Sequence, residues 1–439
     1  MIALTAPLIA LLAAKFLWPF VARQTSVRLV YLTVGLALAF WYWIPAVNIL
    51  TVGYLGQDWI VPDPAIAAEA VWTVLIYQLS AMAALASLAL IIPEGRAPAA
   101  PVLLPSRTLG ILTLCGATVF LFWSVMGQGP DILVQLMSGL TSARELREYY
   151  NFSSSLGDSM RALLEVAVVA SALVVLAHET LVRRLGTLAS VMAFLAVALV
   201  LVATGTRSPL LMAVFVIVLG RATRQGVPGQ RPARSRFWFA AGAVGVTAIP
   251  IYLAFSARAA RTGIVSPVLS TLVVHNDMFR ELVYVQGQMA DYRGESSVAF
   301  LLTPFTYMLP TFFGFVRHIP DHLLAFNGAR ANIDLILGAG NVFPGLIADN
   351  ALVFGNAGPL WLAAFVVSFT LALRALGRIA GSSVAGVAVQ MAASAFLFFS
   401  FRNLHPGLAL VLAGGAVALW CLQVTNRQGW PAGSHAYRP

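Results

Sequence analysis

The sequence predicts an all-α polytopic membrane protein, and three observations predict it. The 439-residue chain is 59% hydrophobic and only 10% charged, with a mean hydropathy of +0.84. Soluble domains carry about 25% charged residues, so this composition belongs in lipid. Apolar runs of about 20 residues, the length a helix needs to cross a bilayer, recur from end to end. These runs are continuous rather than alternating, which favours helices over a β-barrel.

About eleven spans are expected, near 3–20, 29–49, 71–92, 108–127, 160–178, 186–204, 207–220, 237–255, 349–373, 383–400 and 405–423. The first, opening on Met1 to Ala14, has no positive segment before it and no clear cleavage site, so it reads as a retained helix. The seventh is short. It starts after Gly205, with Thr206 or Ser208 as its cap and Pro209 in its first turn. No internal repeat is visible, so an inverted-repeat transporter is not supported. Cys115 and Cys421 both fall within expected spans, where they read as small core residues, and no disulfide or metal framework is readable.

Loop charge sets the orientation. The connection 221–236 holds Arg221, Arg224, Arg231, Arg234 and Arg236 and no acid, so it is placed in the cytoplasm. With that loop inside, Arg23 and Arg28, Arg96 and Arg107, Arg183 and Arg184, and Arg374 and Arg378 fall on the same side. The N-terminus is then outside and the C-terminus inside. Of the 17 acids, only Glu94 and Glu179 fall inside, and Glu165 lies within a span. The chain divides into helices 1–8 within 1–256, an outer loop 257–348 that caps the site, helices 9–11 within 349–424, and a tail 425–439. The outer loop carries apolar residues at helical spacing (Leu282, Val283, Val285), then Pro310 and Pro320 as breakers. Short helices are expected there, some of them lying in the interface or re-entering the membrane, where irregular backbone survives only if it lines a cavity. The net charge of +10 is assigned to the inner loops and to anionic lipid or substrate, not to nucleic acid.

On this topology a set of arginines lies on the side that topogenesis does not explain. Arg144 and Arg147 stand beside Glu145 and Glu148 and read as local ion pairs, and Arg258 and Arg261 as snorkelling residues at a helix end. Arg207 differs, because it precedes a new helix whose free N–H groups and dipole favour an anion. Arg402 lies between two apolar spans, where a guanidinium is costly without a partner. With Arg280 and Arg317 in the outer loop, these form a candidate pyrophosphate clamp, since a planar guanidinium makes two parallel hydrogen bonds and keeps its charge. The candidate general bases are Asp277, His275, His318 and Glu281, with His405 also considered. Asp277 could instead pair with Arg280 on one helix face. Asp58 and Asp63 in the first outer loop read as solvated acids, and no Walker, Rossmann or zinc spacing is present. The aromatic residues dense in the outer segments, Tyr149, Tyr284 and Phe305 among them, suit either sugar stacking or interface anchoring.

These residues carry a resemblance. Thr204-Gly205-Thr206-Arg207 opens a helix with Leu211 following, and His275-Asn276-Asp277-Met278-Phe279-Arg280-Glu281 lies in the outer loop. Met308-Leu309-Pro310-Thr311 leads to Arg317-His318-Ile319-Pro320, Phe343-Pro344-Gly345-Leu346 leads to Phe354-Gly355-Asn356-Ala357-Gly358, and Arg402 follows the penultimate span. In this order they resemble the Wzy-type polymerases of bacterial surface polysaccharides, closest to the enterobacterial common antigen branch, over roughly 200–405. The chain departs from that branch at His275-Asn276, where Thr-Arg is usual, and by His318-Ile319 before Pro320.

The resemblance implies a GT-C-like inverting glycosyltransferase in the bacterial inner membrane, working at the periplasmic face with no metal or other cofactor. The donor and acceptor would be glycans linked to undecaprenyl pyrophosphate, and a chain-length regulator and a flippase would be partners. Three other readings remain open at this stage. One is an O-antigen ligase sharing the same donor, another is a flippase or transporter that binds the anion and makes no bond, and the third is a structural partner of an assembly complex with no activity of its own. A transporter should carry charges at several depths, whereas here the expected spans are nearly uncharged.

Overall fold

The apolar runs fold as helices wherever the chain is described. The computed structural model describes residues 5–52, 64–93, 104–126, 156–182, 185–204, 208–224, 278–289, 345–380, 383–402 and 407–427. In chain order the helices are α1 (Thr5–Val21), α2 (Thr25–Leu38), α3 (Ile44–Val52), α4 (Pro64–Ile91), α5 (Ser106–Met126), α6 (Leu156–Leu181) and α7 (Leu188–Thr204). They continue as α8 (Ser208–Arg224), α9 (Met278–Gln288), α10 (Leu346–Phe354), α11 (Gly358–Ala380), α12 (Val384–Ser400) and α13 (Gly407–Arg427). A widened π turn, Ala39–Trp43, joins α2 to α3, and a 3-10 turn, Gly355–Ala357, joins α10 to α11. No strand occurs among the described residues.

Five helical stretches are long and apolar enough to cross a membrane: Thr25–Thr51, Ala65–Ile91, Ser106–Ser124, Leu163–Leu181 and Leu346–Ile379. α1, α7, α8, α12 and α13 contribute shorter apolar stretches. The surface fits the same reading. Phe16 is 73% exposed and Ile91 75%, and Leu112, Phe122 and Trp420 also face outward. A belt of large apolar side chains on the outside is unusual for a protein in water and ordinary for one in lipid. Several helix hydroxyls bond within their own helices: Thr113 donates to the Leu109 carbonyl, Thr204 to Val200, Thr370 to Val366 and Ser400 to Phe396.

α12 is the hub. It packs against α2, α6, α8, α11 and α13, and it is buried along its length. Its composition explains this. Alanine, glycine and serine fill much of Val384–Ser400, and small side chains let neighbouring backbones approach closely. Ser383 caps its start by accepting from the Gly386 N–H. α4 runs for about 42 Å at 1.5 Å per residue and lies against α1, α2 and α11.

At one end of the bundle three chain segments meet. Gln24 donates from Nε2 to the Ala89 carbonyl at 2.6 Å and accepts from Arg374 Nη2. The sequence placed Arg374 and Glu179 in loops on this side. Instead Arg374 is buried within α11, and Glu179 is buried in the last turn of α6, where it accepts from the Thr187 hydroxyl at 2.8 Å. Burial is tolerable there because each charge meets polar neighbours. Three further differences from the expectations have physical causes. The ninth span begins at Leu346 rather than 349, and it is broken at Gly355, whose φ of +52° suits glycine. Gly358 resumes the helix where a Cβ would collide with the Tyr77 hydroxyl. The last helix continues into the expected tail, to Arg427. Cys115 and Cys421 lie in helices as expected but are exposed, not core. The expected span 237–255 lies outside the described residues.

Candidate functional site

The site is organised by the widened turn. Pro45 has no N–H to offer the Trp41 carbonyl, and its ring would crowd that carbonyl in a regular helix. The backbone instead opens by one residue, and the Ile44 N–H bonds to the Ala39 carbonyl. Trp41 and Tyr42, adjacent in sequence, then both reach the end of the hub helix. Trp41 Nε1 donates to the Phe398 carbonyl at 3.1 Å, and the Tyr42 hydroxyl donates to the Phe401 carbonyl at 3.2 Å. That hydroxyl also accepts the Ile347 N–H at 3.2 Å, while the Leu346 N–H donates to the Phe401 carbonyl at 3.1 Å. The first free N–H groups of α10 are therefore taken by protein oxygens.

Arg402 follows directly. α12 ends at Ser400, the Arg402 N–H closes on the Phe399 carbonyl at 3.0 Å, and the guanidinium carbon lies 5.8 Å from the centre of the Trp41 ring. That is within cation–π range. Trp41 is itself packed by Phe40, Phe398 and Phe399, with ring centres 4.7 to 5.6 Å away. Its ring is fixed, and so is the platform under the arginine.

α9 brings the second arginine. Residues 278–285 of this segment are buried on most sides, against α3, α4, α10 and the widened turn. Gln286 Nε2 donates to Thr73 Oγ1 at 2.8 Å, and Gly287 rests against Ile66. At the other end Met278 abuts Gly345 and Tyr42. A Cβ built on Gly345 would lie 2.9 Å from the Tyr42 hydroxyl and 3.1 Å from Met278 Sδ. Trp43, next to Tyr42, donates to Gln78 Oε1 at 2.5 Å. α9 therefore runs antiparallel to α4, with its Met278 end roughly 20 Å along α4 from Pro64. A short helix is thus present within the segment 257–348, as expected. Arg280 Nη2 donates to Glu281 Oε1 at 3.1 Å, with the two side chains 13% and 1% exposed.

Of the candidate clamp and base residues, Arg280, Glu281 and Arg402 are described. The chain of contacts from Met278 through Gly345 and Leu346 to Phe401 brings the segments that carry them together. Asp277, His275, His318, Arg207 and Arg317 lie outside the described residues, as does His405. α8 begins at Ser208 with Pro209 in its first turn, as the sequence predicted. Sequence reasoning missed Trp41, Tyr42 and Asp349. Asp349 is a carboxylate 4% exposed in the first turn of α10, with its N–H on the Gly345 carbonyl at 2.8 Å. A proline inside an apolar run and an acid just after Pro-Gly were the available signals. Among the described residues no group of three or more His, Cys, Asp or Glu could hold a metal ion. The chain matches no family model, no curated protein and no solved structure.

Proposed function

We propose that this chain is an inverting, metal-independent glycosyltransferase that polymerises undecaprenyl-pyrophosphate-linked oligosaccharide repeat units. On this reading it is an inner-membrane protein with about eleven spans in a GT-C-like arrangement, acting at the periplasmic face. The observation that carries the reading is that the segment leading into Arg402 and the start of α9, which carries the Arg280–Glu281 pair, meet at the start of α10 through Phe401, Leu346, Gly345 and Met278. Glu281 and Asp349 are buried beside this junction, while Glu179 and Arg374 are buried in the last turn of α6 and in α11.

In the proposed reaction the acceptor hydroxyl loses its proton to a base, for which Asp277, His275, His318 and Glu281 are the candidates. Its oxygen attacks the anomeric carbon from the face opposite the pyrophosphate, and the bond from that carbon to the phosphate oxygen breaks. The lipid pyrophosphate leaves with the electron pair, and Arg402, Arg280, Arg207 and Arg317 meet its charge. Guanidinium groups suit this role because they stabilise an oxyanion without giving up a proton. Glu281 holds Arg280 in the described geometry, so its first role is to orient that cation.

The test is a reaction of the purified chain with lipid-linked repeat units. Wild type should give a ladder of lengthening glycans, and Arg402→Ala should slow it by roughly 10²–10³-fold, the usual cost of one preorganised donor. If the wild type binds the lipid-linked substrate and makes no ladder, the polymerase reading fails.

A further inference from the structure

We propose that Trp41 is a positioning residue for Arg402, and that the widened turn exists to put it there. The inference rests on the anion-binding role given to Arg402 above. In an unbroken helix Trp41 and Tyr42 would point about 100° apart, and the extra residue in the turn lets both engage the single stretch Phe398–Phe401. Trp41 does two separate things. Its Nε1 anchors the backbone that leads into Arg402, and its ring face supports the guanidinium at 5.8 Å. An arginine side chain has many rotamers, and a fixed aromatic platform removes some of that freedom before the anion arrives. Tyr42 completes the device. It ties the Phe401 carbonyl to the Ile347 N–H, so the hub helix end, the start of α10 and the turn move as one body.

The test uses the full-length protein in detergent and inorganic pyrophosphate as the probe, with binding read by calorimetry. Trp41 is replaced site-specifically by ring-fluorinated tryptophan, which keeps shape and the Nε1 donor but depletes the ring face. This variant avoids the folding failure that Trp41→Leu invites. Fluorination should weaken pyrophosphate binding roughly two- to fivefold, and in an Arg402→Ala background it should change nothing. Unchanged binding on fluorination, or an equal loss with and without Arg402, overturns the positioning role and leaves the anion reading of Arg402 standing. If wild type does not bind pyrophosphate, or Arg402→Ala binds as well as wild type, the anion reading falls and this inference falls with it.

Discussion

Arg280 and Glu281 show how a buried ion pair constrains what either residue can do. The carboxylate is 1% exposed and its Oε1 faces Arg280 Nη2 at 3.1 Å. Removing one partner of such a pair typically costs about 3–5 kcal/mol, because a charge is left in a poor solvent. Arg280→Ala should therefore lower thermal stability in detergent, and adding Glu281→Gln should recover part of the loss. Equal melting of single and double variants would show that the pair is not coupled. Gly345 poses a backbone problem instead. Its φ of +88° and ψ of 154° lie in a region that is essentially glycine-only, and a Cβ would press on Tyr42 and Met278. Gly345→Ala should destabilise by about 1–3 kcal/mol, read as a shift in the melting transition. Of these residues, the sequence marked Arg280, Glu281 and Arg402, because charge in an apolar context is conspicuous. Trp41 and Tyr42 were invisible there, because an aromatic residue in an apolar span looks like any other core residue until the turn that aims it is known.

The elements show which features a one-dimensional pattern carries. Helix existence was legible from apolar run length alone, and each described apolar helix overlaps an expected span, with ends that differ by up to seven residues, as at Pro64 and Ala380. Irregularities inside spans were not. The π turn at Ala39–Trp43 and the 3-10 break at Gly355–Ala357 interrupt runs that a hydropathy window reads as continuous. Each has a local cause, Pro45 in one case and a left-handed Gly355 in the other. The burial of α9 was legible only in part. The periodicity of Leu282, Val283 and Val285 foretold a helix, but not that Phe279 and Glu281 would be enclosed as well. The π turn yields a prediction of its own. Pro45→Ala restores an N–H that can reach the Trp41 carbonyl, so the widened turn can close to a regular helix. Closure rotates Trp41 and Tyr42 away from the Phe398–Phe401 stretch. Pyrophosphate binding should fall severalfold with little loss of thermal stability, since a helix bond is gained as the contacts are lost. Undiminished binding would show that the turn does not depend on Pro45.

For the whole molecule, the decisive question is which end of the bundle faces which compartment. The geometry separates the two ends: Gln24, Ala89 and Arg374 meet at one, and Tyr42, Met278, Gly345 and Phe401 gather toward the other. Sides follow from arginine distribution, which acts during insertion and leaves no trace in helix packing. On the proposed orientation the basic connection 221–236 lies in the cytoplasm, and Arg402 and Arg280 then face outward. A topology experiment checks this directly. Cys115 and Cys421, exposed on the helix surfaces, are first replaced by alanine. Single cysteines are then introduced at Gln225, Gln230, Ser138 and Ser296, and a membrane-impermeant thiol reagent is applied to intact spheroplasts. Ser138→Cys and Ser296→Cys should react at once, and Gln225→Cys and Gln230→Cys only after the membrane is opened. The reverse pattern would place Arg402 and Arg280 in the cytoplasm, where the phosphates of soluble nucleotides are abundant. The same guanidinium groups would then answer to a different donor. Labelling on both sides at one position would mean that the chain inserts in two orientations, and the excess of basic residues in 221–236 makes that the outcome least expected.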